Sequence, residues 1–489
     1  MAIYDALECK LSISKKTFYK KYSYQCQEKD GLNGCYFQMN KLNKKRDDNM
    51  NNKEDLLEKY RKHIIGYKNG KYSDLNGNEN VYADWCGTAK MYDEIEYIVS
   101  EKYGSFYSNL HSVGNPIVEF LEEEYFEKKE IIKKHFGADD RYVLLENSQG
   151  MTLATNQFIE IIRDNLYKPE ETVVIVSAYE HNSNYVTWLK YGYEVEIIKL
   201  DSVGEIDINH YETLLKKNKN KKIIVAISAC SNVVGIMTNI RQVTQIAKKY
   251  NALVFVDYTA CAPYVKIDIG SYAVDAMVCS MHKFVGGVQG IGILILKRDI
   301  YKKAIPTRVG GGTVRWVSPY GKVLYKDDIC FREMAGTPPI LQMIRSGLAI
   351  QLKESIGIDL ICKREKEIAY DLGSFMKGLE GLNMFMPNVT NRLPYFSFVL
   401  KKEKYKETVK KLCAEYNIQA RGGCCCASLF MHYIFCISQN ESEQIYKYLR
   451  KEKKKEHEYG WVRISLNYLT SDVEIQSIKE SLMLLSEKI

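Results

Sequence analysis

The sequence predicts an α/β protein whose main domain is built on a mostly parallel sheet. Six short apolar runs lie between residues 142 and 297, and helical patterns separate them: YVLLEN (142–147), TVVIVS (172–177), KIIVAIS (222–228), ALVFVD (252–257), DAMVCS (275–280) and GILILK (292–297). Each run is apolar on both faces, as a strand covered by helices on both sides must be. Strands that alternate with helices in this way indicate a mostly parallel sheet.

The helical segments and the later part of the chain extend this picture. The segment NIRQVTQIAKKY places its apolar residues on one helical face: Ile240, Val243, Ile246, Ala247 and Tyr250. After Pro338, residues 340–361 read as one long helix, and strands and helices then follow each other to the end of the chain. We therefore predict a large α/β domain over residues 61–345 and a smaller α+β domain over 346–489. Residues 1–60 are polar, and we expect them to be flexible.

Length, charge and cysteine usage limit the classes of function. A chain of 489 residues, 46% hydrophobic, can bury a large core. Its net charge of +8 is spread over the whole length with no arginine-rich arm, so we expect no nucleic-acid partner. The 14 cysteines form no CxxC pair, and we see neither a signal peptide nor a membrane-spanning run. We expect a cytoplasmic protein with reduced thiols, without membrane or metal partners.

The octet SMHKFVGG, residues 280–287, contains the most informative lysine. Lys283 follows a predicted strand and precedes Gly286 and Gly287, which places it on a loop at the carboxyl edge of the sheet. Open α/β sheets bind their ligands at this edge. A lysine there can form a Schiff base with an aldehyde, and pyridoxal phosphate is the common aldehyde cofactor. The octet alone is equally compatible with a surface lysine.

A phosphate cradle is predicted in NSQGMTLATNQFIEIIRDNL. Gly150 and Thr152 begin an amphipathic helix there, and the backbone N–H groups at a helix start, with a hydroxyl, can bind phosphate. An ordinary capped helix would have the same pattern. The predicted buried face consists of Leu153, Phe158, Ile161, Ile162 and Leu166.

Two further residues follow predicted strands. Asp257 ends the run VFVD, where a carboxylate can keep a pyridine nitrogen protonated. His181 lies just after TVVIVS, where an imidazole can stack on the cofactor ring and transfer protons. Taken singly, the aspartate could be a cap and the histidine a core residue. Their common position after strands favours a site.

With these motifs in order, the chain resembles the class V aminotransferase family of fold-type I pyridoxal-phosphate enzymes, and within it the cysteine desulfurase and selenocysteine lyase branch. The resemblance begins near Tyr82, at YADWCGTAKM, and continues into the last forty residues. It implies a set of cofactor ligands: Gly150, Met151, Thr152, Ser280 and His282 for the phosphate, His181 over the ring, Asn232 beside the cofactor and substrate, Asp257 at the pyridine nitrogen, and Lys283 for the Schiff base.

Two segments qualify the resemblance. Many relatives carry glutamine at the position of Ala260, where it bonds the cofactor's phenolic oxygen, so another group must do this here or the electronics of that oxygen differ. GGGT at 310–313 is similar to the family loop that reaches the neighbouring subunit's phosphate. Thr313 would then complete the partner's site, which implies a homodimer, although a plain glycine turn would have the same sequence.

The segment ARGGCCCASLF, residues 420–430, resembles the substrate and thiol segment of the desulfurase branch. There an arginine binds the substrate carboxylate, and a cysteine five residues later takes the sulfur; Arg421 and Cys426 have this spacing. WVRISLNYLT resembles the second arginine segment and makes Arg463 the other carboxylate ligand. Cys424 or Cys425 could instead be the working thiol. Contiguous cysteines lack the spaced geometry of a zinc site.

The resemblance implies a reaction in which Lys283 removes the α-proton of cysteine and Cys426 takes its sulfur, leaving an enzyme persulfide and alanine. A sulfur-acceptor protein would be a partner. Another amino acid could be the substrate of a class V aminotransferase, an epimerase or a β-lyase with the same cofactor. The least favoured alternative is a non-catalytic protein that uses the fold to bind a partner.

Overall fold

The computed structural model describes residues 53–68, 71–110, 112–164, 166–453 and 457–487. Leu57–Ile489 forms one compact unit. The segment predicted to be flexible, 1–60, lies mostly outside the described residues, but its last part belongs to a helix, Lys53–Arg61. The predicted domain boundary at 345/346 falls inside another helix, Ile340–Ile356, and the division stays a prediction. Among the described residues, no helix is both long and apolar enough to cross a bilayer.

The secondary structure alternates strands and helices through the first two thirds of the unit. The strands are β1 Tyr67–Lys68, β2 Lys71–Ser73, β3 Glu79–Tyr82, β4 Tyr142–Asn147, β5 Thr172–Ser177, β6 Glu194–Ile198, β7 Lys222–Ser228, β8 Leu253–Asp257, β9 Ala276–Ser280, β10 Gly292–Lys297, β11 Val314–Val317, β12 Val323–Tyr325, β13 Leu382–Met384, β14 Tyr395–Leu400, β15 Ile418–Gln419, β16 Arg421–Gly423 and β17 Trp461–Ser465. The α-helices are α1 Lys53–Arg61, α2 Asp93–Tyr97, α3 Pro116–His135, α4 Gly150–Arg163, α5 Val186–Lys190, α6 Ile208–Lys217, α7 Ile240–Lys249, α8 Ile329–Glu333, α9 Ile340–Ile356, α10 Ile358–Lys377, α11 Tyr405–Ala414, α12 Ser428–Ile434, α13 Gln439–Lys451 and α14 Asp472–Glu487.

The central sheet has seven strands in the order β4-β10-β9-β8-β7-β5-β6. Neighbours from β9 to β6 are parallel, and β10 is antiparallel to both β9 and β4. The predicted mostly parallel sheet is therefore confirmed, and all six predicted runs are strands in it. The strand that the sequence reading missed, β6, lies at an edge and has a polar, half-exposed sequence, EVEII.

The register of this sheet brings the ends of four strands together. Ser228 pairs with Asp257, and Gly292 pairs with both Ser280 and Asn147. Because these residues end or begin their strands, the loops that follow β4, β7, β8 and β9 meet at one edge. This is the edge at which the sequence places Lys283.

Gly292 permits the close approach of β10 to the start of α4. A Cβ atom at this position would lie 2.1 Å from the backbone of Gly150. We expect Gly292→Ala to displace the start of α4, to lower the melting temperature by several degrees, and to weaken cofactor binding, because overpacking costs about 1–3 kcal/mol. Gly378→Ala is the control, since its Cβ would meet no atom closer than 3.4 Å. Equal melting temperatures for the two variants, measured by calorimetry, would contradict this.

Two helical predictions have different outcomes. Helix α7 buries Ile240, Val243 and Ala247 against the sheet, as its periodicity predicts. The single long helix predicted over residues 340–361 is wrong: α9 ends at Ile356, and α10 begins at Ile358. The break is at Gly357, whose φ of +95° is a left-handed conformation that side chains disfavour and glycine adopts freely.

The carboxyl-terminal elements form a second sheet with the order β13-β14-β17-β16. Helices α10, α11 and α14 share an apolar core with this sheet, in agreement with the α+β elements predicted after Pro338. In the β16–β17 pair, Arg421 lies directly opposite Arg463, and an isolated bridge joins Asp84 to Ser465. Two arginines and one carboxylate from distant parts of the sequence thus become neighbours.

Candidate active site

A cavity of about 550 Å³ lies at the carboxyl edge of the seven-stranded sheet. Its walls come from the loops after β4, β5, β7, β8 and β9, from the segment before α2, and from β16 and β17. The sequence-predicted residues that line it are Gly150, Met151, Thr152, His181, Asn232, Asp257, Ser280, His282, Lys283, Arg421, Cys426 and Arg463. Thr313 does not line it.

Lys283 ends a single helical turn that follows β9. Its Nζ donates hydrogen bonds to the carbonyl oxygens of Cys86 and of Gly87, the latter at 2.9 Å. Burial lowers the pKa of Lys283, although the nearby Cys86 and Asp84 oppose this effect. A lowered pKa favours the neutral amine, which is the nucleophilic form. Cys86 and Gly87 belong to the segment with which the family resemblance begins, but the sequence reading gave them no role.

The start of α4 forms a small polar cradle. The backbone N–H of Met151 donates to Ser280 Oγ at 2.8 Å, and Thr152 Oγ1 shares a hydrogen bond with Ser183 Oγ at 2.8 Å. Gly150 has a φ of +65°, and a Cβ there would lie 2.9 Å from Ser280 Oγ. The predicted buried face of α4 is partly wrong, because Leu153 is only half-buried and Leu166 lies beyond the helix end.

His282 extends this cradle on the side of Lys283. Its Nδ1 shares a hydrogen bond with Thr88 Oγ1 at 3.1 Å. Burial, with a contribution from the Lys283 charge, lowers the pKa of His282 to about 4. The ring is therefore neutral near pH 7 and offers one N–H donor.

Asp257 ends β8 and is 6% exposed. One carboxylate oxygen accepts a hydrogen bond from the Thr259 backbone at 2.8 Å. Burial raises the pKa of Asp257, while the Thr259 hydrogen bonds and the Lys283 charge oppose the rise. A buried carboxyl at this place can hold a proton shared with a pyridine nitrogen. Ala260 lines the same cavity and offers no side-chain donor.

His181 begins a short turn after β5. Its Nδ1 accepts a hydrogen bond from the Ser183 backbone at 3.2 Å, so the neutral ring carries its proton on Nε2. Burial lowers the pKa of His181 to about 4, and the charges of Lys283 and Arg421 act in the same direction. A neutral imidazole suits stacking on a flat ring.

Glu180 fixes the turn that carries His181, and the sequence reading missed it. Its carboxylate is fully buried and accepts hydrogen bonds from Ser177 Oγ at 2.6 Å, from Ser228 Oγ at 2.7 Å and from Asn184 Nδ2 at 2.6 Å. These bonds join the ends of β5 and β7. Burial raises the pKa of Glu180 to about 7 in spite of them. In the sequence, Glu180 could have been noticed only because it directly precedes His181 after a predicted strand.

The two partly buried histidines at the cavity, His181 and His282, give an expected pH dependence of stability. In the unfolded chain a histidine has a pKa of about 6.5, whereas His181 and His282 have pKa values of about 4 in the folded protein. The unfolded state therefore binds more protons below pH 6.5, and each histidine reduces the free energy of unfolding by up to about 1.4 kcal/mol per pH unit down to pH 4. Urea titrations of the parent and of His282→Gln between pH 7.5 and 5 test this: the variant should lose less stability. Equal losses would contradict it.

The arginine pair is organised by Asp84. Arg463 is 2% exposed and donates to Asp84 Oδ1 at 2.5 Å and to the Asn232 carbonyl at 2.8 Å. Arg421 is more exposed and lies 3.5 Å from Asp84 Oδ2. Cys86 Sγ also points to the Asn232 carbonyl, at 3.4 Å. Two guanidinium groups that converge on one carboxylate can also bind the carboxylate of an amino acid.

The three adjacent cysteines differ in exposure. Cys425 is buried, Cys424 is half-buried and Cys426 is exposed at the cavity. Cys425 and Cys426 have φ angles of +53° and +56°, and hydrogen bonds from Asn232 and Asn182 to their carbonyls, at 2.8 and 2.7 Å, hold the loop. Burial raises the pKa of the Cys425 thiol, although Arg463 and Arg421 oppose the rise. The exposed thiol is thus the one on Cys426.

Comparison with known proteins agrees with this geometry. Residues 81–478 match the family described as Aminotransferase class-V. The chain belongs to the class V aminotransferase family. Membership makes it a pyridoxal-phosphate-dependent enzyme, as the sequence predicts.

Curated relatives of this chain carry the name "probable cysteine desulfurase". One from Halalkalibacterium halodurans is 27% identical over 385 residues, which cover 78% of this chain and 91% of the relative. One from Staphylococcus aureus is 26% identical over 383 residues, covering 77% and 90% of the two chains.

Solved structures confirm the fold. A cysteine desulfurase from Thermococcus onnurineus superposes with a TM-score of 0.72 at 22% identity, over 88% of this chain and 98% of its own. A cysteine desulfurase from Escherichia coli superposes with a TM-score of 0.70 at 19% identity, over 88% and 99%. The predicted fold-type I architecture is therefore correct.

The size and the lining residues of the active-site cavity fit pyridoxal phosphate. The volume lies within the ~300–1,000 Å³ of small-ligand sites, and Asn232 Oδ1 is buried with no hydrogen-bond partner in the described part of the chain. Gly150, Thr152, Ser280 and His282 would hold the phosphate. Asp257 would meet the pyridine nitrogen, His181 the ring face, and Lys283 the aldehyde.

Thr313 is the predicted site residue that does not line the active-site cavity. Its side chain is buried, and its hydroxyl donates to the Gly310 carbonyl at 2.7 Å. Gly311, in the same loop, is exposed. The role of Thr313 at a neighbouring subunit stays a prediction.

Proposed function

We propose that this enzyme is a cysteine desulfurase, which converts L-cysteine to alanine and keeps the sulfur as a persulfide on Cys426. The observation that carries the proposal is the position of Cys426, exposed at the cavity that Lys283, Arg421 and Arg463 also line. The names of the curated relatives support the same activity. A thiol at this place is the group that a sulfur transfer requires.

The arginine pair would fix the substrate. The substrate carboxylate would bind between Arg421 and Arg463 in place of Asp84, and Asn232 would lie beside it. Bound pyridoxal phosphate would supply an electron-withdrawing ring that stabilises negative charge at the substrate's α-carbon. Asp257 would keep the pyridine nitrogen protonated, which strengthens that effect.

Lys283 would move the proton of the α-carbon. Burial lowers its pKa, which favours the neutral amine, the form that can accept a proton. His181, neutral and close to Lys283, would keep the ring in place and can relay a proton. Glu180 would fix the orientation of His181 through the turn it anchors.

The thiolate of Cys426 would then attack the sulfur of the substrate. A Cys426 Sγ–S bond forms as the substrate's Cβ–S bond breaks. The electron pair of the broken bond stays with the substrate carbon, which takes up protons to give alanine. The exposed position of Cys426 would let a sulfur-acceptor protein collect the persulfide sulfur.

Incubation of the cofactor-loaded enzyme with L-cysteine tests the proposal. We expect alanine to form, together with sulfide when a reductant such as dithiothreitol is present. Bound cofactor with neither product would contradict the desulfurase assignment. A keto acid formed from an amino donor would favour a transaminase, for which the missing donor at Ala260 is the motivating observation.

We also propose that the enzyme works in the cytoplasm as a homodimer, with the 310–313 loop near the partner's phosphate site. The exposed glycines of this loop and the apolar side chains of the adjoining β11–β12 hairpin, such as Trp316 and Val317, support an interface there. Sedimentation of the cofactor-loaded enzyme at several concentrations measures the assembly. A monomer at all concentrations would contradict this part of the proposal.

A further inference from the structure

A second cavity, of about 560 Å³, lies on the other side of the loops after β7 and β8. Helix α10 and the segment 390–393 form its opposite wall. Its rim contains the exposed basic residues Arg241, Lys266 and Lys366. It is as large as the active-site cavity, and the function proposed above assigns it no role.

Glu365 lines this cavity from α10 and is 2% exposed. Neither carboxylate oxygen meets a hydrogen-bond donor in suitable geometry among the described residues. The adjacent Arg364 is engaged elsewhere, with Asp472 at 2.7 Å and with the Thr470 carbonyl at 2.8 Å. Burial raises the pKa of Glu365 well above its usual range, and the Tyr468 backbone amide and the Arg364 charge oppose the rise only in part. A buried carboxyl that the Tyr468 amide stabilises only in part is costly unless something in the cavity binds it.

Arg392 lines the same cavity and is 8% exposed. One guanidinium nitrogen donates to the Met386 carbonyl at 2.6 Å, and the group lies over the Phe396 ring at 5.6 Å. Among the described residues, its Nε has no hydrogen-bond partner and no carboxylate forms an ion pair with the group. Burial lowers the pKa of Arg392 to about 10, so it remains a cation near neutral pH. A carboxyl and a guanidinium thus border one cavity, and no ion pair joins them in the described part of the chain.

The remaining lining adds hydrogen-bonding capacity. The Tyr258 hydroxyl, on a residue 3% exposed, has no partner in the described part of the chain. Asn391 and Thr390 lie beside Arg392 and offer amide and hydroxyl groups. Polar side chains that converge on a cavity of this size can fix the orientation of a small ligand.

We propose that this cavity binds a small zwitterion of the amino-acid class, with its ammonium group at Glu365 and its carboxylate at Arg392. Such a ligand supplies at once the cation that the carboxyl lacks and the anion that the guanidinium lacks. A simple anion or a simple cation would satisfy only one of them. Tyr258 directly follows Asp257 and Ala229 directly follows Ser228, so the occupied cavity would lie against the same strand ends as the active site.

Calorimetric titration of the full-length, cofactor-loaded enzyme tests this proposal. The probes are ω-amino acids of increasing length, from β-alanine to 6-aminohexanoate, with butylamine and butanoate as probes of a single charge. The visible absorption of the lysine-bound cofactor is followed in parallel to detect binding at the active site. We expect one chain length to bind with one site per chain and no absorption change, and the single-charge probes to bind at least about tenfold more weakly.

Variants locate the site. Glu365→Gln keeps the shape of the side chain and removes its charge, and we expect it to weaken binding by at least about tenfold. Lys363→Gln, on the exposed side of the same helix, is the matched control and should bind like the parent. The proposal is overturned if no probe binds at millimolar concentration, since the cavity would then not be a site for a small zwitterion. It is also overturned if Glu365→Gln binds the probe as tightly as Lys363→Gln does. A third contradicting result is a binding heat that appears only together with a change in cofactor absorption, since the probe would then be binding at the active site.

Discussion

Replacing Lys283 with alanine is expected to reduce alanine formation from L-cysteine by about a thousandfold or more, because in the proposed function this residue both holds the cofactor and moves the proton. The variant should also lose the visible absorption of the lysine-bound cofactor. The fold should survive, since within the described ranges the Nζ of Lys283 bonds just two backbone carbonyls, those of Cys86 and Gly87. Circular dichroism and the rate of alanine formation measure the two effects separately.

Lys302→Ala is the control for this substitution. Lys302 is exposed and lies outside the cavity, so its removal should leave both the absorption and the rate at parental levels. Retention of the visible band by Lys283→Ala would mean that another amine binds the cofactor. The assignment of Lys283 would then be wrong.

The second large effect is expected at the cysteine loop. Cys426→Ser should reduce alanine and persulfide formation by about a hundredfold or more, because a hydroxyl is a poor nucleophile toward sulfur. Cofactor absorption should not change. Cys425→Ser should retain most of the activity, because its thiol is buried and burial raises its pKa.

A thiolate-trapping reagent distinguishes the two cysteines directly. After incubation with L-cysteine, mass spectrometry of the alkylated protein should find the additional sulfur on the peptide containing Cys426 in the parent and in Cys425→Ser. If activity is instead lost in Cys425→Ser and kept in Cys426→Ser, the buried thiol is the sulfur carrier. The exposure argument would then be wrong.

Much of this site can be predicted from the sequence because its residues directly follow strands. Asp257, His181 and Lys283 each follow an apolar run, and parallel strands bring the residues after their carboxyl ends to one edge. Gly150 and Thr152 could be read for the same reason, as the start of the helix after a strand. Patterns within short windows were sufficient to find these residues.

Other features depend on contacts that no short window contains. Asp84 meets Arg463 across 379 positions of sequence, and Glu365 and Arg392 line one cavity from separate elements. The break at Gly357 was missed because apolar periodicity continues through it, while its positive φ is a property of the folded chain. The edge strand β6 was missed because its partly exposed residues lack the apolar signature of a buried strand.

The Asp84–Arg463 ion pair affects the free energy with which a carboxylate can bind to Arg463. Because Asp84 already pairs with the Arg463 guanidinium, an amino-acid substrate that bound there as proposed would exchange one carboxylate for another. The cost of dehydrating Arg463 is borne during folding, and only the difference between the two carboxylates contributes to binding. The contribution of Arg463 to substrate affinity should therefore vary little with ionic strength, because this guanidinium would be paired with a carboxylate both before and after the substrate binds.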